Sequence, residues 1–384
     1  MRKWPTIRIA DEFDLQMGKT PARENPAYWG GDQKWASIAD IARSGMYLSK
    51  TKETISQAAV DESGIKSVPP NTIVMSFKLS IGRTAITSDR MYTNEAIMAF
   101  LPHDANAFDL HFLYHLFSNR DWSEGCNKAV KGATLNKATL NAARIPKPDI
   151  SEQRTIAVTL DKLCGLIEKC DAQLVRLDQL VKSRFVEMFV GEHSYPRQKV
   201  EEVSCRVKVA FVGSCDQFYT APGTGVPMVR TTNLTKDGFS EVGMKYVTRE
   251  FHERNKKSQL HKGDILVARH GANGRACLYS GGEANCLNVI IIEPNSDKAL
   301  PMFLECVLNS DFVRGDIQRD LVGSTQHVLN TASIAKVRIP IPPLALQREF
   351  AAFVAKVDKL AFAVRKSIET AEKLYRQQLS EAFS

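Results

Sequence analysis

Residues Leu135 to Phe189 recur without a gap as residues Leu329 to Phe383, with 15 identities in the 55 aligned positions. Such a repeat constrains the architecture more than any local pattern, because each copy must build the same supersecondary unit. The clearest stretch is Arg144-Ile145-Pro146-Lys147-Pro148 against Arg338-Ile339-Pro340-Ile341-Pro342, followed in register by Gln153-Arg154 and Gln347-Arg348. Upstream the likeness weakens while the offset of 194 drifts only to 191 or 192. Phe112-Leu113 pairs with Phe303-Leu304, Gly132-Ala133-Thr134 with Gly323-Ser324-Thr325, and Gly82-Arg83 with Gly274-Arg275. Two half-proteins are fused in tandem.

Each half opens with a mixed region, residues 1–148 and 193–342, and closes with a helical one, residues 149–192 and 343–384. The mixed regions carry short β-rich runs at Thr72 to Ser76, Arg83 to Thr87, Ile265 to Ala268 and Val289 to Ile292, and Asn273-Gly274 is a hairpin signal. Apolar helices are expected near Asp109 to Ser118 and Met302 to Leu308, which makes each mixed region α+β.

In the first helical region Ile156, Leu160, Leu163, Ile167, Cys170, Leu174, Leu177, Val181 and Met188 follow a 4-3 alternation broken once, at Arg184. That is a heptad seam. The second region repeats it with Phe350, Val354, Val357, Ala361, Val364, Ile368, Ala371, Tyr375 and Ala382. Ser151 is the expected N-cap of the first helix and Gly191 its stop. A helix of this length reaches about 60 Å at 1.5 Å per residue, more than a small domain can bury, so the two copies are expected to pack on each other as an antiparallel, coiled-coil-like pair. Phe185, Phe189, Leu379 and Phe383 suit either contacts to a partner protein or the core.

The 384 residues, 43% hydrophobic and 24% charged, suffice for two domains with their own cores. The 51 Lys+Arg exceed the 43 Asp+Glu, for a net charge of +8, which favours a polyanionic partner without requiring one. The cysteines at 126, 164, 170, 205, 215, 277, 286 and 306 form no C-x-x-C pair and none lies near histidines at zinc-ligand spacing, so reduced thiols and no metal are expected. No apolar run approaches a membrane span and no leader is apparent, so a cytoplasmic location is expected, with no membrane partner. There is no phosphate-loop or dinucleotide-binding fingerprint and no nucleophile triad. Asn25-Pro26-Ala27-Tyr28 is similar to the Asn-Pro-Pro-Tyr motif of amino-methyltransferases, but with 24 residues before it, too few for the cofactor-binding sheet such a site needs, it is expected to be a chance match.

R-I-P-x-P followed by Gln-Arg and a long helix, present twice and alternating with variable α+β regions, resembles the specificity subunits of type I restriction-modification enzymes. Gly18-Lys19-Thr20-Pro21, Tyr28-Trp29-Gly30-Gly31 and Trp35-Ala36-Ser37-Ile38-Ala39-Asp40-Ile41 are similar to the opening of many target recognition domains of that family. The second half offers Gly225-Val226-Pro227-Met228-Val229-Arg230-Thr231-Thr232-Asn233-Leu234 at the equivalent place and lacks the Tyr-Trp-Gly-Gly cluster. The resemblance implies a fold of two pseudo-repeated target recognition domains separated by two long antiparallel helices. It also implies a non-catalytic role: each domain reads one half of a bipartite, asymmetric double-stranded DNA site, and the helices set the spacer. Two copies of an adenine-N6 methyltransferase subunit would dock on the helices, with a motor-nuclease subunit possible. S-adenosylmethionine, ATP and Mg²⁺ would belong to those partners, leaving no cofactor on this chain.

Candidate DNA contacts are polar loop residues at matching places in both halves, since Arg and Lys suit guanine, Asn and Gln suit adenine, and phosphates accept from any donor. The first group is a hairpin tip: Lys78, Ser80 and Arg83 in one half, Arg269, His270, Asn273 and Arg275 in the other. The second is the loop before R-I-P-x-P: Lys128, Lys131 and Thr134 against Ser324, Thr325, Gln326 and His327. The third comprises Ser37 and Asp40 against Arg230, Thr231 and Asn233, with Lys19 and Thr20 added. On the residues alone two other readings stay open. One is a coiled-coil adaptor whose end domains bind proteins; the other is a two-domain transcription regulator, although no helix-turn-helix is evident.

Overall fold

The computed structural model describes residues 4–78, 80–122, 127–129, 132–190, 195–235, 238–269, 274–311, 313–315 and 329–383, with backbone only for 127–129 and 132–134. Two compact units emerge, Met1–Asp171 with Arg365–Ser384, and Ala172–Val364. Both divisions fall inside a helix. The long helices Ile150–Phe189 and Leu344–Phe383, 40 residues each, contribute one part to each unit.

The first unit is built on a five-stranded sheet in the order Phe13–Met17, Ile97–Pro102, Ile73–Ser76, Thr84–Thr87, Tyr47–Leu48. All neighbours are antiparallel except the last pair. Side chains alternate across a strand, so Ile73, Met75, Ile86, Met98 and Phe100 enter one core with Phe112, Leu113, Leu116 and Phe117 of the Leu110–Asn119 helix. Their neighbours Val74, Ala85, Ile97 and Ala99 enter a second core with Ile41, Leu48 and Met91. A sheet covered on both faces explains why these strands read as continuous apolar runs. A smaller sheet pairs Trp29–Ala36 with Glu53–Ile55 and Tyr92–Thr93.

The second unit repeats the plan. Strands Ser204–Val209, Val289–Pro294, Ile265–Ala268 and Ala276–Leu278 form the sheet equivalent to that of the first unit, beside a five-stranded sheet that includes Val226–Arg230 and Ala284–Leu287. Ile265, Val267, Ile290 and Ile292 face Phe303, Leu304, Val307 and Leu308 of the Pro301–Asn309 helix, while Leu266, Ala268, Val289 and Ile291 face the opposite core. In both units the R-I-P segment is a strand paired antiparallel with the start of its domain: Arg144–Pro146 with Thr6–Arg8, and Arg338–Pro340 with Arg197–Lys199.

Pairing of the long helices is antiparallel in each unit. In the first, Ile156 and Ala157 share a core with Phe383; in the second, Val181 shares one with Val354, and Phe185 lies 5.8 Å from Phe350, ring centre to ring centre. Every expected seam position of both helices is buried or half-buried. Arg184, where the seam breaks, reaches Glu349 of the other helix at 2.8 Å and Glu187 at 2.9 Å. Phe185 and Phe189 are core residues, packed with Phe303 and Phe350, and Phe383 packs on Phe112. Ser151 is not the N-cap of the first long helix. It lies within the first turn, and Asp149 caps, its Oδ1 accepting from Glu152 N at 2.9 Å and from the Ser151 hydroxyl at 2.7 Å. The expected stop, Gly191, lies outside the described residues.

The seven described cysteines are free thiols. Burial pushes Cys277 up to about 12 and Cys286 well above its ordinary value, so both behave as small apolar core residues. Among the described residues no helix is long and apolar enough to cross a membrane.

Candidate nucleic-acid interface

The first hairpin tip is wound around one hydroxyl. Ser76 Oγ donates to Ser80 O at 2.6 Å and accepts from Arg83 N at 3.1 Å, while Gly82 N donates to Ser76 O at 2.9 Å. Gly82 has φ +86°, and a Cβ there would come within 3.0 Å of Trp122, so the turn needs glycine on both counts. Ser80 and Arg83 are left exposed, and Lys78 is half-buried with Nζ 5.2 Å over the Phe77 ring. In the second unit the corresponding strands Ile265–Ala268 and Ala276–Leu278 are last paired at Val267 and Ala276. Arg269 Nε donates to Leu329 O at 3.3 Å and Arg275 Nη1 to Thr235 O at 3.3 Å.

One duplicated backbone hydrogen bond brings the first two candidate groups together. Leu135 N donates to Phe77 O, and Leu329 N donates to Arg269 O, both at 3.1 Å. The chain leaving each pre-R-I-P loop is therefore tied to the base of the hairpin tip of its own unit. His270, Asn273, Lys131, Ser324, Thr325, Gln326 and His327 lie outside the described residues, and only the backbone of Lys128 and Thr134 is described, as strands Asn127–Ala129 and Gly132–Thr134 paired with each other.

The third group does a different job from the one expected. Asp40 is buried, with Oδ2 accepting from Ser37 N at 2.9 Å and Ser37 Oγ at 2.7 Å, and Oδ1 accepting from Lys52 N at 3.0 Å. Asn233, fully buried, accepts from Arg230 N at 3.0 Å and donates to the carbonyls of Ser240 and Val242. Thr231 Oγ1 donates to Asn288 O, and Arg230 Nη2 to Gly243 O. Asp40 and Asn233 are thus not available to bases: they occupy the third position of equivalent capping turns and hold backbone N–H groups. The S-x-x-D spacing was the signal for this. Lys19 and Thr20 are likewise engaged, with Ser63 O and the Glu95 carboxylate.

Sequence reasoning also missed the role of the repeated glutamine. Gln153 Oε1 accepts from Asp109 N at 2.8 Å, and its Nε2 donates to Ala107 O and Pro148 O. Gln347 does the same with Leu300 N at 2.8 Å and the carbonyls of Lys298 and Pro342. Each is fully buried and clamps the long helix to the start of the short helix in its domain. His261, Asp264 and Glu293 bring their potential ligand atoms within 4.8 Å of one another, but Arg206 pairs with Asp264 at 3.4 Å and Glu293 at 3.1 Å, so the cluster already holds a cation of its own.

The two units present the same elements in the same order: a domain with a double-sided sheet, a hairpin tip tied to a pre-R-I-P loop, and an antiparallel share of two long helices. This is the class of a duplicated two-domain protein mounted on a helical pair. The chain belongs to the family described as "Type I restriction modification DNA specificity domain", which matches residues 1–175 and 215–372. It is similar to the type I restriction enzyme MjaIX specificity subunit of Methanocaldococcus jannaschii, 25% identical over 97% of this chain and 91% of that one. It is similar also to the EcoBI specificity subunit of Escherichia coli, 24% identical over 68% of this chain and 60% of that one. The fold matches the type I S subunit from M. genitalium with a TM-score of 0.60, at 16% identity over 100% and 96% of the two chains. It also matches, at TM-score 0.59 and 14% identity over 98% and 96%, a chain from a structure described as the basis of "complex assembly and conformational transition of the type I R-M system".

Proposed function

We propose that this chain is the sequence-specific DNA-binding subunit of a type I restriction-modification complex, each domain reading one half of a bipartite, asymmetric site while the helical pair sets the spacer. The observation that carries the reading is that equivalent hairpin tips present different side chains: Ser80 and Arg83, exposed, in one unit, and Arg269 and Arg275, half-buried, in the other. Tips tied alike at their bases, by Leu135 N to Phe77 O and Leu329 N to Arg269 O, that share the Arg83/Arg275 position and differ in their other donors suit two different base sequences. The pre-R-I-P loops, whose outgoing chain is tied to the tip of its own unit at Leu135 and Leu329, belong to the same proposed surface. Methyl transfer and DNA cleavage would reside on other subunits, two adenine methyltransferases docked on the helices and a motor-nuclease, with S-adenosylmethionine, ATP and Mg²⁺ bound there.

Single-molecule methylation sequencing of a methylation-free host tests this. Co-expression with the neighbouring methyltransferase is expected to yield a bipartite adenine motif seen with neither protein alone, and exchanging residues 1–148 for those of a relative is expected to change one half-site only. Affinity of the complex for its site should fall about a hundredfold or more between 50 and 200 mM salt, as neutralisation of several phosphates requires. A stable complex that leaves no motif would sink the reading in favour of a protein-binding adaptor.

A further inference from the structure

The Leu110–Asn119 helix places His111 and His115 one turn apart, and both reach one carboxylate on the first long helix. His115 Nε2 lies 2.7 Å from Asp161 Oδ1, and His111 Nδ1 lies 2.6 Å from Oδ2. The Tyr47 hydroxyl stands 2.7 Å from His111 Nε2. On the other side of His115, Nδ1 lies 3.1 Å from the hydroxyl of Tyr375 on the second long helix, and Asn119 Nδ2 donates to that hydroxyl at 3.1 Å. Every member lies in the first unit, and His115 is fully buried.

Hydrogen-bond accounting assigns the proton. A carboxylate only accepts, so Nε2 of His115 carries the hydrogen and Nδ1 accepts from the Tyr375 O–H, whose oxygen accepts in turn from Asn119. A second proton, on Nδ1, would set two donors against each other and place a positive charge on a fully buried ring. The groups around His115 are Asp161, Cys164 and Glu168 of the first long helix, Tyr375 of the second, Asp109, His111 and Tyr114 of its own segment, and Tyr47. Burial outweighs the attraction of Asp161 and holds His115 below its ordinary value.

The matching positions of the second unit carry no such set. At the repeat offsets, His111 and His115 correspond to Met302 and Cys306, Asp161 to Ala355, and Tyr375 to Val181. Met302, Cys306 and Val181 all pack on the apolar core of that unit. The nearest titratable groups in that copy are Glu305, whose Oε1 accepts from Leu278 N at 2.9 Å, and Asp358; burial holds Glu305 above its ordinary value, so acid relieves this carboxylate and does not strain it.

We propose that His115, Asp161 and Tyr375 form a proton-sensitive joint fastening the first domain to both long helices, with His115 as its positioning residue, so that acidification loosens this joint and leaves its counterpart in the second unit intact. A histidine held below its unfolded value supports the fold fully above that value, about 6.5, and that support is lost as pH falls toward the folded-state value. The joint is therefore tight near neutrality and weakens in mild acid. For its consequence on DNA the inference rests on the function proposed above: the half-site read by the first domain becomes the pH-dependent one.

Hydrogen-exchange mass spectrometry on the full chain, without DNA, tests the joint separately from that function. Between pH 7.5 and 5.5, after correction for the chemical exchange rate, protection of 110–119 and 365–383 is expected to fall about fivefold or more while that of 301–309 stays within about twofold. His115→Met should abolish the difference. Tyr375→Phe keeps His115 but removes the donor to Nδ1, which favours the protonated ring, and should move the midpoint of the loss to higher pH; this variant also serves if His115→Met fails to fold. Protection independent of pH in the unaltered chain, an undiminished loss in His115→Met, or an unmoved midpoint in Tyr375→Phe would each overturn the proposal.

Discussion

Replacing Phe350 with alanine is expected to destabilise the second unit by about 3–5 kcal/mol, the range for removing a fully buried phenylalanine and leaving a cavity. Phe350 sits in the first turns of the second long helix with no exposed surface, its ring centre 5.3 Å from Phe189 and 5.8 Å from Phe185. Phe303 of the short helix completes the cluster, 5.1 Å from Phe189. One ring thus joins both long helices to the domain, and neighbours on three elements cannot all close the space left by its loss. Folded domains are stable by only about 5–15 kcal/mol, so urea unfolding should show a large drop in midpoint. Val242→Ala, at a residue 86% exposed, should move it by no more than about 0.5 kcal/mol. A loss below about 1 kcal/mol for Phe350→Ala would mean that the helix does not depend on this cluster.

The glutamine clamps should give the next largest effects. Gln153→Leu strips partners from one backbone N–H and two carbonyls in the first unit, and Gln347→Leu does the same in the second. With about 1–3 kcal/mol for each buried polar group left unpaired and partial relaxation, each change is expected to cost roughly 2–5 kcal/mol. The glutamate variants discriminate the cause. Gln153→Glu keeps the acceptor for Asp109 N but turns a second oxygen toward two carbonyls, so it should be at least as damaging as leucine although its shape is almost unchanged. Equal stability of Gln153→Glu and the original chain in thermal melts would show that packing, and not hydrogen bonding, holds this corner.

Several elements are legible in the sequence. The 4-3 alternation located the buried stripe of both long helices, because helical periodicity is a local property of the chain. The paired apolar runs located the central strands, and R-I-P announced itself by repetition. Other roles were not legible. Ser37-x-x-Asp40 reads equally as a polar loop or a cap until the burial of Asp40 is known. Phe185 and Phe189 suit a partner surface or a core until Phe303, more than a hundred residues away, is seen against them. Ser151 looks like a cap because serine often is one, yet Asp149 starts the helix two residues earlier.

Sequence by itself determined that this protein is a duplication, that each copy ends in a long amphipathic helix, and that the two copies carry different residues at their hairpin tips. These follow from identity and period, which need no third dimension. Tertiary structure alone decided which polar residues remain free. Asp40, Asn233, Gln153 and Gln347 are spent on backbone groups and His115 on the Asp161 and Tyr375 side chains, since a buried polar group must find a partner, and for Gln153, Gln347 and His115 partners come from segments more than 40 residues away. The same packing brought His115, Asp161 and Tyr375, drawn from three separate helices, into one hydrogen-bonded joint, a set whose matching positions in the second unit carry Cys306, Ala355 and Val181.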